Sequence, residues 1–273
     1  MLSPGTGKSS VRMPAVAGSF YPHDAQELRR AVRQFLDEKP VVGPSRLPKA
    51  LIVPHAGYMY SGTVAGCGYR LLAVPGGIVR HVVLVGPSHR VPMRGLAVPS
   101  HDFFATPLGD VPIDQAGRQR LRELGLAGIA DAPHAGEHSL EVQVPFLQSV
   151  LHDFDLLPLA IGLAPPAQVA RALEAVWNGP ETLVVVSSDL SHYHASTEAR
   201  HLDEQASRSI LELRSDLSDE QACGARAING LMEVARLKGL RVELLDLRNS
   251  GDTAGDRSRV VGYGSYAFYE ARA

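Results

Sequence analysis

The sequence predicts a single α/β domain with a mainly parallel central sheet flanked by helices. Three observations predict it. Short apolar runs of strand length alternate with longer amphipathic segments along most of the chain, the order that builds crossover units. The 273 residues suit one large domain, and a chain of that size buries about three-quarters of its unfolded surface without crosslinks. Third, three apolar runs stop at a polar group. His55 follows Leu51-Ile52-Val53-Pro54, His89 follows Val82 to Val85 and then Gly86-Pro87-Ser88, and Asp189 follows Leu183 to Val186 and then Ser187-Ser188. In an open α/β sheet the ligand crevice lies outside the carboxyl ends of the strands, so these groups are expected to converge there.

The elements follow in order. Residues 1–10 are rich in Gly, Ser and Pro, carry no apolar run, and read as a loose tail rather than a signal peptide; the domain spans 11–273. Asp24-x-x-Glu27 resembles a capping box, and Leu28, Val32, Phe35 and Leu36 then form one helical stripe. Residues 40–48 read as a connector and Lys49 to Pro54 as the first strand. Ser61 is a candidate N-cap for a glycine-rich helix through Leu72. His81 to Val85 is the second strand and Gly95 to Pro99 a shorter third, with a turn over Ala105 to Gly109.

Asp114 to Leu124 reads as helix. Glu137 to Leu151 does too, with Pro145 kinking it or displacing its start. Leu156 to Ile161 is a strand, Pro165 to Trp177 a helix with proline in its first turn, and Thr182 to Val186 the most apolar strand. Thr197 to Arg214 and Ser218 to Leu237 are successive helices, Leu240 to Leu245 a strand, Asn249 to Arg259 a polar loop, and Val260 to Tyr269 an alternating last strand.

The formal charge of −2 and the absence of a basic block give no reason to expect nucleic acid or an anionic membrane as partner. No apolar stretch approaches the ~20 residues of a membrane-spanning helix. Cys67 and Cys223 lie far apart and outside any C-x-x-C pair, which argues for a reducing compartment, the cytoplasm, and against structural zinc. Walker A, G-x-G-x-x-G and G-x-S-x-G motifs are absent, so nucleotide-binding and serine-hydrolase readings lose ground.

A single strand-end histidine is commonly structural. His55 and His89 on successive β-α units strengthen each other, because strands joined by a crossover are usually neighbours and neutral imidazole is the commonest metal ligand. Ser88 can orient a neighbour. Ser187-Ser188-Asp189-Leu190-Ser191-His192 places five polar groups behind an apolar strand, more than one helix cap needs. Asp189 can orient an imidazole from behind, and His192 can serve as general acid or base. In Asn249-Ser250-Gly251-Asp252 a turn is the simpler reading, yet Asp252 supplies the carboxylate that two histidines need for a non-haem Fe(II) site. In Glu137-His138-Ser139-x-Glu141, Ser139 either caps a helix or leaves His138 as a polar wall of the crevice.

Five stretches occur together in one order: Pro14-x-x-Ala17-Gly18-x-Phe20-Tyr21-Pro22, Pro54-His55-Ala56-Gly57-Tyr58-x-Tyr60-Ser61-Gly62, Gly86-Pro87-Ser88-His89, Glu137-His138-Ser139-x-Glu141 and Ser187 to His192. In this the chain resembles the Memo family, in bacteria and archaea the group called AmmeMemoRadiSam system protein B, from about Val11 to Tyr269. The resemblance implies a fold similar to the class III extradiol (LigB-type) dioxygenases, which hold Fe(II) with two histidines and a glutamate. Carried over by motif, it implies His55, His89 and Asp252 as metal ligands and His192 as acid/base. Asp189, His138, Glu137, Tyr58 and Ser88 are expected either to bind substrate or to support those groups from behind. Some animal members carry cysteine at the third position; aspartate is closer to the dioxygenase pattern, though a methylene shorter than glutamate. The resemblance also implies Fe(II), with copper or zinc as alternatives, and a functional link to AMMECR-type and radical SAM proteins.

Three readings follow. The first is a metal-dependent, dioxygenase-like oxidoreductase on a 2-His-1-carboxylate site. The second is a binding module for a peptide, phosphate or small metabolite in the same crevice. The third is a metal-dependent hydrolase.

Overall fold

A computed structural model describes residues 9–38, 46–73, 77–253 and 255–271. The tail expected before residue 9, and most of the connector expected over 40–48, lie outside the described residues. After β1 (Val11–Arg12), Asp24 caps α1 (Ala25–Asp37), its carboxylate accepting the Gln26 and Glu27 amides at 2.8 and 2.9 Å. β2 (Ala50–Val53) is wholly buried. α2 (Tyr58–Tyr69) begins before the expected cap. Gly57 holds that position, and Ser61 sits in the first turn with its hydroxyl donating to Ala56 O at 2.9 Å.

β3 (His81–Pro87) and β4 (Leu96–Val98) are followed by a hairpin, β5 (Phe103–Thr106) and β6 (Gly109–Pro112), where a turn alone was expected. Asp114 caps α3 (Gln115–Glu123) through the Gly117 amide at 2.8 Å. β7 (Gly128–Ile129) and α4 (Ala132–Ala135) are short. The helix expected from Glu137 is cut back. A 3-10 turn covers Glu141–Gln143, and α5 (Val144–Val150) starts with Pro145 in its first turn, where its missing N–H costs nothing.

β8 (Asp155–Ile161), α6 (Pro166–Val176), β9 (Thr182–Ser187) and α7 (Ser196–Leu211) stand as expected; β10 (His192–His194) was not foreseen. α8 (Ala225–Leu237) begins later than Ser218. β11 (Leu240–Asn249) leads into α9 (Ser250–Thr253), a helical turn inside the expected polar loop, and β12 (Val260–Glu270) ends the fold.

Among the described residues the main sheet has nine strands in the order β10-β12-β2-β9-β3-β8-β4-β7, with β11 also on β12; β1, β5 and β6 form a small second sheet. The centre, β2-β9-β3-β8, is parallel. Its flanks are antiparallel at β12 and β4, so the sheet is mixed with a parallel heart. β9 pairs with both β2 and β3 and separates them, a correction to the expectation that the two histidine-bearing strands are neighbours.

Alternate residues of the central strands face opposite layers. Ile52, Val83, Val85, Leu157 and Val184 pack with Val169, Ile210 and Leu231 of α6, α7 and α8. Leu51, Val53, Val82, Leu84 and Val185 pack with Leu28, Tyr69 and Phe146 of α1, α2 and α5. Strands buried on both faces read as continuous apolar runs.

Candidate functional site

Because β9 lies between β2 and β3, the chain segments leaving all three strands meet at one edge. His55 leaves β2 into a buried position, 2% exposed. Its amide donates to Asp189 Oδ1 at 2.7 Å, so Asp189 fixes the His55 backbone. Its Nδ1 lies 2.9 Å from Ser187 Oγ. The Ser187 hydroxyl donates to the Ser139 carbonyl at 2.6 Å and accepts from Gln143 Nε2 at 2.8 Å. With the serine proton committed to a carbonyl, His55 Nδ1 must be the donor. Its Nε2 lone pair then faces the cleft, 3.1 Å from Cys223 Sγ. Burial, reinforced by His89 and His138, pushes the His55 pKa well down and keeps the ring neutral.

His89, at the end of β3, is oriented by Glu137. Its amide donates to Oε2 at 2.5 Å and its Nδ1 lies 2.9 Å from Oε1. Glu137 Oε1 also accepts the His138 and Ser139 amides, each at 2.9 Å. His138 Nδ1 is 3.2 Å from the same oxygen, close enough for an ion pair but not aligned as a hydrogen bond. Burial opposes ionisation of Glu137, yet the His138 and His89 imidazoles and the Ser139 amide outweigh it and hold the carboxyl well below the usual range.

One donor nitrogen from each of His55, His89 and His138 lies within 4.8 Å of the others. The His89 and His138 rings stack at 4.8 Å between centroids, and His55 stands edge-on to both at 5.2 and 5.4 Å. These rings open into a cleft of about 950 Å³, whose wall includes His192, Phe20, Tyr60, Cys223 and Asp256. Buried Asp189 lies behind His55, its pKa raised by desolvation against the His55 amide and the His192 charge. Burial and the Asp189 carboxylate push the Cys223 thiol up, so it remains protonated.

Three expectations are corrected. Asp252 does not join His55 and His89: it lies on α9, where Arg200 at 2.5 Å and the Asn249 amide at 3.2 Å occupy its carboxylate. From the same loop Asp256, four residues on, reaches the cleft wall. Tyr58 is core, not wall. Its hydroxyl donates to Val142 O at 2.7 Å and its ring packs on Tyr21, Phe35 and Phe146, while Tyr60 faces the cleft. Ser88 donates to Val91 O at 2.7 Å and shapes its own loop; it lines a smaller adjoining pocket with His89 and Cys223. Cys223 went unseen as a site residue because only tertiary packing brings it there. Gly224 beside it is the one local sign, since a Cβ there would sit 2.7 Å from Ser188 Cβ.

Fold and cleft together define an α/β protein with a histidine-walled pocket at the carboxyl ends of a parallel sheet. The chain belongs to the Memo family, whose model, described as Memo-like protein, matches residues 12–267. A "MEMO1 family protein" of Aquifex aeolicus is 36% identical over 93% of this chain and 97% of its own length. Another, of Ignicoccus hospitalis, is 37% identical over 94% of this chain and 98% of its own. Among solved structures, "uncharacterized protein JW3007" from Escherichia coli K12 aligns with a TM-score of 0.50 at 16% identity, over 81% of this chain and 99% of that one, a likeness of fold.

Proposed function

We propose that this Memo-family protein is a metal-dependent oxidoreductase of dioxygenase-like type, with the metal held by His55, His89 and His138. The observation that carries the reading is the set of three imidazole donors within 4.8 Å of one another. Nδ1 of His55 is held by Ser187, and Glu137 lies against Nδ1 of His89 and His138. Ligating histidines characteristically offer their other nitrogen to such partners. The neutral state of His55 also suits a ligand.

Fe(II) is the expected metal, with copper or zinc as alternatives; bound, Fe(II) would supply open positions where substrate and oxygen meet. The chain's own residues would do the rest. His192, on the wall of the same cleft, would move a proton to or from substrate. Asp189 would hold the His55 backbone in place, and the Phe20 ring, 4.6 Å from that of His138, would keep water from that side.

Anaerobic purification followed by elemental analysis tests this. About one metal per chain is expected, and His55→Ala should lose it. Full occupancy in that variant would sink the ligand assignment, and a metal-free parent would leave a ligand-binding module. Three imidazoles are also a catalytic zinc set. Zinc, with turnover indifferent to oxygen, would favour hydrolysis.

A further inference from the structure

The mouth of the histidine cleft contains a second arrangement that metal binding does not use. β10 pairs with β12 through His192↔Val261 and His194↔Val260, with a register break between them, and Tyr193 is the residue left over. Tyr193 adopts φ 64°, in the left-handed region that non-glycine residues avoid. The residue is 65% exposed, so burial does not explain the strain. Bulges beside active sites re-aim side chains, and this one turns an aromatic ring onto the cleft next to His192.

The ring is covered by Arg259, whose guanidinium carbon lies 5.2 Å from its centroid. Stacking uses the face of a guanidinium and leaves its N–H edge free for an oxyanion. Arg90, adjacent to His89, lines the same cleft. Neither arginine has an ion pair among the described residues. Of the acidic groups on that wall, Asp219 is ion-paired with Arg226 at 2.5 Å and Asp189 is buried, while Asp256 keeps its charge beneath its hydrogen bonds from the Ser258 amide and hydroxyl at 3.0 and 2.5 Å. Glu220 is the remaining carboxylate among the described lining residues.

We infer that the cleft takes an anionic small molecule: Arg259 and Arg90 hold its carboxylate or phosphate at the mouth, its flat body lies on Tyr193, and its other end points to His192 and the three imidazoles. Anion binding itself does not depend on the metal; only reaction at the far end rests on the proposed function.

The test titrates the full chain, metal-free and metal-loaded, with benzoate, phenyl phosphate and uncharged benzamide. At least one anion should bind about tenfold tighter than benzamide, the scale of a charge-assisted contact, and the advantage should shrink with added salt. Which anion wins identifies the oxyanion. A bound metal also attracts anions, so Arg259→Gln in metal-free protein is the deciding variant. It should erase the preference while leaving metal uptake and Tm unchanged. Tyr193→Gly should keep or raise Tm, because glycine accepts this backbone, and weaken all three probes. Equal binding of benzamide and both anions, or a preference that survives Arg259→Gln, would overturn the inference. Anion preference in a protein that never takes metal would overturn the metal reading alone.

Discussion

Ser187 decides which nitrogen of His55 faces the cleft. Its proton goes to the Ser139 carbonyl, and so its oxygen receives His55 Nδ1–H. Ser187→Ala should therefore lower metal affinity about 10–100-fold, the usual cost of losing such a support, measured by competition with a chelating dye. Asp203 offers a separate test. It is 2% exposed, and burial raises its pKa to about 6 although the Ser191 amide opposes this. The fold thus prefers it protonated: its contribution is full below the unfolded value near 3.8 and is lost as pH rises through about 6. Asp203→Asn should exceed the parent in stability by about 3 kcal/mol at pH 8. The gap should close toward pH 4 in denaturant titrations. At this scale the sequence was legible where chemistry follows a strand directly, as at His55 and His89. It was not legible at Asp252, since one loop offers Asp252 and Asp256 and only the α9 turn decides which faces inward.

α1 and α2 show how an element is placed by what it lacks. Gly66 lies against the Phe35 carbonyl and Gly62 against the Phe35 ring, so a methyl group at either position would push the helices apart. Gly66→Ala should cost about 1–3 kcal/mol, the range for overpacking, seen as a lower Tm. The segment from Glu137 to Leu140 carries a helical pattern yet stays irregular, because the Glu137 carboxylate gathers the amides of His89, His138 and Ser139. Those amides serve the site instead of a helix. Strand positions were readable from apolar runs buried on both faces. Strand order was not, because nothing local in β2 or β3 announces that β9 will enter between them.

The whole molecule should respond to metal as one unit, since the donors come from three separate segments of a continuous core. Metal at about 100 times its Kd should stabilise the fold by about 2.7 kcal/mol. The rise in Tm should vanish with chelator and be absent in His55→Ala. None of the helices among the described residues is long and apolar enough to cross a membrane. The position of β2 has a further consequence, for the order of folding. Ile52 pairs with Val186 on one side and Tyr266 on the other, both far downstream. Such pairings give a high contact order and slow closure. β2 is made before either neighbour: its β9 edge can be covered only once Val186 is made, and its β12 edge only once Tyr266 is made. Chains cut before Val260 should therefore leave the β12 edge of β2 open and aggregate more than the full chain.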